Sequence, residues 1–209
     1  IPTFLVSQMA KQHVSVALSG DAGDELFGGY NRYIAAQKVW GPIQRMPSFV
    51  RHLAAIGLCS LSSRNWDRLF DFAKPILPRS LQLPMPGEKA RKLSEVLTLS
   101  NGEAFYRQLT SHWTDPACVV INGQEPITLL TNPIAWPKTD CLEHTMMAMD
   151  AQTYMSDDIL VKVDRAAMAN SLETRAPFLD HRVVELAWSM PLAYKIRDGE
   201  GKWLLKQVL

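Results

Sequence analysis

One segment, residues 16–33 (VALSGDAGDELFGGYNRY), constrains the fold more than any other part of the chain. The stretch His13–Leu18, which leads into it, is rich in β-branched residues and is bounded by Ser19-Gly20, which predicts a buried strand. The stretch Asp24–Lys38 follows, and its later part has a helical pattern. A strand, a glycine-containing loop and a helix in this order form half of a βα unit, so the sequence predicts an α/β fold.

The rest of the chain is predicted to be mostly helical. Residues 41–139 are interrupted by prolines, and the stretches between them include helical patterns at Pro47–Leu61 and Gly87–Leu97. Three blocks follow from this reading: a loop-bearing βα unit at residues 1–40, a helical region at residues 41–139, and a second helical region at residues 140–209.

The last block contains a long helical pattern at Thr145–Leu172, which is read as one helix or two abutting helices. Asp180 stands before an apolar run and is expected to cap the next helix. Another helix is expected to begin at Trp203. The predicted fold class is therefore α/β and rich in helix, with one strand recognised from the sequence.

Composition excludes several classes of protein. The chain has 22 basic and 21 acidic side chains, and a net charge of +1 does not favour a nucleic-acid partner. No run of about 18 apolar residues predicts a membrane span, and the first residues lack the pattern of a signal peptide. Three cysteines without a CxxC pair indicate a cytoplasmic setting.

The loop after the strand has the features of a nucleotide site. Ser19 and Gly20 allow the backbone to approach a ligand, and a helix that starts near Asp24 presents free N–H groups. Asp21, Asp24 and Glu25 would repel phosphate unless a divalent cation such as Mg²⁺ lay between them. The alternative, that these carboxylates only complement the helix dipole, stays open from the residues alone.

Three segments resemble the glutamine-hydrolysing asparagine synthetase family. SGDAGDELFGGYNRY, residues 19–33, resembles the second nucleotide motif of that family. DDILVKVDRAAMANSLETRAPFLD, residues 157–180, resembles its pattern LxKxDRxSMxxSxExRxPFLD. GKWLLKQVL, residues 201–209, resembles the segment that follows. The matches lie at both ends of the chain and in the family's order.

The resemblance implies a parallel-sheet, adenine-nucleotide hydrolase-like domain of the ATP pyrophosphatase type. Such a domain uses ATP and Mg²⁺ to adenylate the side-chain carboxylate of aspartate, and ammonia then converts the acyl-adenylate to asparagine and AMP. The ammonia comes from glutamine through an N-terminal glutaminase domain. The family also suggests a homodimer.

The resemblance also assigns roles within the first motif. Ser19 and Gly20 would contact ATP through the backbone, and Asp24 would be a Mg²⁺ ligand. Asp21 occupies the acidic position that the family links to forming the acyl-adenylate, where many members have Glu. Glu25 is expected to support the loop.

In the second motif, Lys162, Asp164 and Arg165 lie within one helical turn and would suit a pocket for aspartate. The alternative is a structural ion network that includes an Asp158–Lys162 pair. Glu173 and Arg175 are expected to form a buried salt bridge that braces the fold.

Parts of the family pattern do not occur in these residues. Neither the pyrophosphate loop SGGxDS nor the glutaminase domain is found, so the chain is expected to be an interior fragment without synthetase activity of its own. Missing sheet neighbours would expose an apolar face at Val14–Leu18. Two other functions remain open: a related amidotransferase that acts on another carboxylate, of a sugar or secondary metabolite, or a non-catalytic helical interaction domain.

Overall fold

The structure is a computed structural model that describes residues 1–74, 85–113 and 118–209. The chain forms two compact units. The first unit comprises Ile1–Gln37 and Asp115–Leu209, and the second comprises Lys38–Thr114. The three segments that carry the family resemblance all lie in the first unit.

A two-stranded parallel sheet joins distant parts of the first unit. Strand β1 is Val16–Leu18 and strand β2 is Glu173–Arg175, with Val16 opposite Glu173 and Leu18 opposite Arg175. Strand β2 is not predicted from the sequence, because its two charged residues, Glu173 and Arg175, are poor strand formers. Its pairing with β1 stabilises it.

The predicted buried strand is wrong in length and in burial. Strand β1 has three residues rather than the six of His13–Leu18. The Val16 side chain is 40% exposed and that of Leu18 is 75% exposed. Parallel sheets are usually covered on both faces, and two short strands leave these residues uncovered. The expected exposure of an apolar face at Val14–Leu18 is confirmed.

Helices surround this sheet in the first unit. Helix α1 (Pro2–Lys11) packs against helix α10 (Leu160–Met168). The predicted pattern at Thr145–Leu172 is divided into helix α9 (Leu142–Gln152), a π-helical turn (Met155–Ile159) and α10. Two abutting helices, one of the two readings of the sequence, are therefore closer to the structure than one.

The last helices follow the sequence closely. Helix α11 is His181–Ser189, and its N-cap is Asp180, whose Oδ1 accepts the N–H of Arg182 at 2.9 Å. The Arg182 guanidinium, which also donates to this carboxylate, holds the pKa of Asp180 well below its usual range. Helix α12 is Trp203–Val208. The predicted cap and the predicted start at Trp203 are both confirmed.

The core of the first unit forms around helix α2 (Gly23–Phe27). Ala22, Leu26 and Phe27 are almost fully buried against Ala187 of α11. Partly buried apolar side chains from later segments complete this cluster: Met155, Phe178, Val183, Val184, Trp188, Met190 and Leu205. The segment that follows β1 is therefore held by the region that carries the second motif.

One of the remaining helices lies in the first unit, and the others lie in the second. Helix α3 (Asn31–Ala35) continues into a π-helical turn, Ala36–Trp40. The second unit is helical where it is described, and α5 and α6 both pack against α7. Its helices are α4 (Gly41–Gln44), α5 (Ser48–Cys59), α6 (Ser63–Ala73), α7 (Pro86–Leu97) and α8 (Gly102–Thr110). Across the described residues, no helix combines the length and apolar character that a membrane crossing requires.

Candidate functional site

The turn after β1 is closed by hydrogen bonds that begin at Ser19. The Ser19 hydroxyl donates to the carboxylate of Asp21 and accepts the Asp21 N–H at 3.2 Å. The Ser19 N–H donates to the carbonyl of Arg175 at 2.8 Å, which continues the sheet ladder. Because the Ser19 N–H is occupied by this bond, only the carbonyl of Ser19 is left to make the backbone contact with ATP that the resemblance implies for this residue.

Ala22 holds the turn in an unusual backbone conformation. Its φ of +71° lies in the left-handed region, which residues with a side chain seldom adopt. The residue is only 1% exposed and belongs to the core cluster around α2. Strain of this kind persists where the surroundings impose it, and it is concentrated at functional sites. The packing of α2 therefore fixes the shape of the turn.

Gly20 and Gly23 have opposite surroundings in this turn. A Cβ atom added at Gly20 would have no heavy atom within 4 Å. One added at Gly23 would lie 3.2 Å from the ring of Phe178. The Gly20 N–H has no acceptor among the described residues. Gly23 is therefore restricted by protein packing, whereas the open space and free donor at Gly20 leave room for a ligand.

Helix α2 begins at Gly23, close to the predicted start at Asp24, but it is short. It spans five residues and ends where Gly28 adopts a φ of +69°. The helix predicted for the later part of Asp24–Lys38 corresponds to α3, which begins at Asn31. Because a macrodipole is the sum of aligned peptides, so short a helix adds little to anion binding. The predicted helix start near Asp24 and the predicted helix in the later part of Asp24–Lys38 are confirmed, but the turn's own backbone and side chains must bind any nucleotide.

Asp24 is paired with a lysine from the end of the chain. The Nζ atom of Lys202 lies 2.9 Å from Asp24 Oδ1, and the two side chains are 34% and 36% exposed. Lys202 belongs to the third segment that resembles the family, but its contact with Asp24 is not predicted. The carboxylate is therefore already partly neutralised by the protein, although it stays open to solvent.

Glu25 points away from solvent. It is 1% exposed and accepts a hydrogen bond from the Tyr30 hydroxyl at 2.7 Å. Burial, followed by this bond to Glu25, raises the pKa of Tyr30 far above its usual value. Tyr30 therefore stays protonated and donates to the carboxylate, so Glu25 has a structural role behind the turn.

An arginine surrounded by aromatic rings extends this network. The Arg32 guanidinium carbon lies 4.1 Å from the ring centroid of Tyr30 and 5.1 Å from that of Tyr154. Its Nε donates to fully buried Asp150 at 2.7 Å, and Tyr33 donates to the same oxygen at 2.5 Å. The sequence does not predict this network, because Asp150 lies 118 residues from Arg32 and 117 residues from Tyr33 along the chain.

The three residues predicted for an aspartate pocket lie on α10. Lys162, Asp164 and Arg165 are all exposed, and Arg165 Nε lies 4.0 Å from Asp164 Oδ2. Among the described residues, none of the three has a hydrogen bond or ion pair with the turn at residues 19–24. The structure brings Ser19, Gly20, Asp21 and Asp24 together, but it does not join these three residues to them.

Two predicted ion pairs differ from the structure. Arg175 Nε lies 2.7 Å from Glu173 Oε1, but the side chains are 66% and 53% exposed, so the buried brace is wrong. The short strand leaves both side chains on its open face. Asp158 and Lys162 do not form an ion pair in the part of the chain that the structure describes, although both are exposed on one helical stretch.

The turn's donors suit a Mg²⁺ ion that also contacts a nucleotide. In the described ranges, no three Asp, Glu, His or Cys side chains form a cluster that could hold a metal. Mg²⁺ is usually held by one or two carboxylates together with phosphate oxygens. The part-exposed carboxylates of Asp21 and Asp24 supply that number beside the open space at Gly20. The residues present therefore fit a nucleotide-bound cation.

Comparison with known proteins identifies the family of this chain. The family model for asparagine synthase matches residues 1–209. Glutamine-hydrolysing asparagine synthetase 1 of Bacillus subtilis is 32% identical over 99% of this chain and 30% of its own length. A candidate enzyme of the same name from Mycobacterium bovis is 31% identical over all of this chain and 29% of its own. Amidase chry2 of Gibberella zeae is 23% identical over 98% of this chain and 30% of its own.

These matches establish both the fold and the family of this chain. The helix-rich chain with a small parallel sheet has the ATP pyrophosphatase-like fold. The chain belongs to the asparagine synthase family. It spans about 30% of the length of the relatives named above. No solved structure matches it significantly.

Proposed function

We propose that the protein containing this chain uses ATP to convert aspartate to asparagine, with ammonia from glutamine. A carboxylate oxygen of aspartate attacks the α-phosphorus of ATP, and pyrophosphate leaves. Ammonia then attacks the acyl carbon, loses a proton, and AMP leaves. In this proposal an N-terminal glutaminase domain supplies the ammonia and the protein works in the cytoplasm as a homodimer.

The turn after β1 has the central part in this reaction. The Gly20 N–H and the Ser19 carbonyl face the nucleotide, where the absence of a side chain at Gly20 permits close approach. Asp24 would hold Mg²⁺, which would supply positive charge against the phosphate oxygens. Asp21, fixed by its two contacts with Ser19, stands beside the reacting carboxylate and orients the groups that form the acyl-adenylate.

Lys162, Asp164 and Arg165 are proposed to bind the amino acid. An ammonium or guanidinium group can hold a carboxylate, and Asp164 can hold the α-amino group. All three are exposed on α10, so they are free to contact a ligand. Their separation from the turn means that the amino acid would reach from α10 toward the nucleotide, and that other parts of the protein complete the pocket.

One observation carries the proposal more than any other. Two motifs that lie about 140 residues apart meet at the turn: the Ser19 N–H donates to the carbonyl of Arg175, and Phe178 packs on Gly23. The strained, buried Ala22 lies between these two contacts. A domain that only bound another protein would have no need to impose this backbone on an open glycine turn.

The test is release of pyrophosphate by the full-length protein with ATP, Mg²⁺, aspartate and ammonia. Asp24→Asn should reduce the rate by about two orders of magnitude or more, because it removes charge stabilisation during phosphoryl transfer. Asp71→Asn is the matched control, since this carboxylate is exposed on helix α6 in the second unit. If the wild-type protein releases pyrophosphate and Asp24→Asn equals it, the proposed role of the turn is wrong.

A related reaction with another acceptor remains the second candidate, because one relative over nearly the whole chain is named an amidase. The same turn would activate a different carboxylate, and only the residues on α10 would need to differ. A panel of carboxylates distinguishes the two: pyrophosphate release should require aspartate, and release that depends instead on a sugar acid or another metabolite would establish the second function.

A further inference from the structure

A tight hairpin near the end of the chain presents Lys202 to the turn. Arg197 and Glu200 exchange two backbone hydrogen bonds of 3.0 and 2.9 Å around Asp198-Gly199. Both central residues have positive φ values, +54° and +79°, as a type I′ turn requires. Lys202 itself has a φ of +55°. The hairpin thus reverses the chain within a few residues and directs Lys202 toward α2.

The hairpin fits against α2 because three glycines have no side chains. A Cβ at Gly201 would lie 2.1 Å from the carbonyl oxygen of Gly28, and the Lys202 N–H donates to the carbonyl of Phe27 at 3.0 Å. A Cβ at Gly28 would lie 2.6 Å from the side chain of Ile196, which is buried. The backbone at Lys202 is therefore held in one place relative to the turn.

The ammonium of Lys202 reaches Asp24 across Gly29. A Cβ at Gly29 would overlap both partners, because it would lie 1.8 Å from Asp24 Oδ1 and 2.4 Å from Lys202 Cε. The ion pair therefore occupies the space that a side chain at Gly29 would fill. Lys206, one turn further along α12, pairs instead with Glu200 at 3.3 Å on the exposed side.

From this geometry we propose that Lys202 is a positioning residue for Asp24, and that its ammonium competes with a divalent cation for this carboxylate. The proposal rests on the proposed function, in which Asp24 holds Mg²⁺. Without the cation, Lys202 fixes the carboxylate at the turn and offsets its charge. When a cation binds, the two positive charges share one carboxylate, so Lys202 weakens binding of the cation alone.

The test is calorimetric titration of the full-length protein with Mg²⁺ alone, which needs no turnover. Lys202→Met removes the competing charge and should tighten Mg²⁺ binding by about two- to fivefold, the range expected from a part-exposed ion pair. Lys206→Met is the matched control and should leave the affinity unchanged. Asp24→Asn should weaken binding, and Lys202→Met should then have no further effect. A role limited to holding the fold together would not tighten metal binding.

A second measurement shows whether the Lys202→Met variant is correctly folded. Amide exchange at Lys202 should stay slow in the Lys202→Met variant, because its N–H bond to Phe27 belongs to the backbone. One outcome separates the two proposals. Suppose that the wild-type protein binds Mg²⁺ and ATP, and that Asp24→Asn weakens the binding of both. If Lys202→Met then binds Mg²⁺ no more tightly than Lys206→Met, the competition is refuted and the proposed function stands. If no variant binds Mg²⁺ or ATP, both proposals are refuted.

Discussion

Replacing Gly201 with alanine tests whether the hairpin is locked to α2. The new Cβ would lie 2.1 Å from the carbonyl oxygen of Gly28 and 3.2 Å from Gly29 Cα, and both contacts are with backbone. The first is more than an ångström short of ordinary van der Waals contact, so the hairpin must move away. Overpacking of this kind costs about 1–3 kcal/mol.

The loss of stability should appear as faster hydrogen exchange at the amide of Lys202. The Lys202 N–H, which donates to Phe27 at 3.0 Å, exchanges with solvent only when the hairpin opens. A loss of about 1–3 kcal/mol corresponds to exchange faster by about 5- to 150-fold, measured by hydrogen–deuterium exchange on the peptide that contains Lys202. Gly201→Ala should also displace Lys202 from Asp24.

Gly57→Ala is the control, because a Cβ at Gly57 has no neighbour within 4 Å and the residue lies inside α5. This change should stabilise α5 by about 0.5–1 kcal/mol and leave the Lys202 amide unaffected. Unchanged exchange at Lys202 in Gly201→Ala would refute the close contact between hairpin and helix, and with it the reason that Lys202 stands beside Asp24.

Two further predictions concern buried charges. Asp150→Ala should lower the free energy of unfolding by about 3–5 kcal/mol in a denaturation assay, because it leaves Arg32 without its buried carboxylate. Tyr33→Phe removes one hydrogen bond to Asp150 and should lower the free energy of unfolding by about 1.5–3 kcal/mol in the same assay. Burial lowers the pKa of Lys195 from 10.5 to about 8, so the unfolded chain binds more protons between these values and stability should rise with pH across that window. Lys195→Met should abolish this part of the pH dependence, and an unchanged slope in that variant would contradict the burial.

Local signals in the sequence predict the helices and their ends well. Asp180 caps α11 as expected, and α12 begins at Trp203, because capping and helical periodicity depend on neighbours in the chain. The periodic pattern after Thr145 does not show the π-helical turn at Met155–Ile159, since one extra residue per turn hardly alters the apolar spacing.

Contacts between distant segments could not be predicted from the sequence. Strand β2 forms because β1 pairs with it, and its charged residues carry no strand signal of their own. The contact of Lys202 with Asp24 depends on the hairpin geometry and on bare backbone at Gly29 and Gly201. The resemblance therefore identifies the residues of the turn, whereas the partner that neutralises Asp24 becomes visible only in three dimensions.

The early end of helix α2 also depends on contacts with distant segments. Gly28 ends α2 after five residues. Close packing by Ile196 and the hairpin requires glycine at this point. The pair Gly28-Gly29 therefore serves the contact with the end of the chain, and the nucleotide site must rely on the turn from Ser19 to Asp24.

Titration of the full-length protein with ATP and Mg²⁺, with and without Gly20→Ala, tests the central claim most directly. The added methyl meets no protein atom within 4 Å, so thermal unfolding without ligand should be unchanged. If the nucleotide backbone contact is real, the methyl meets the ligand instead, and affinity should fall by about 5- to 150-fold for a cost of about 1–3 kcal/mol. Equal affinity of the two proteins for ATP would contradict a nucleotide site at this turn.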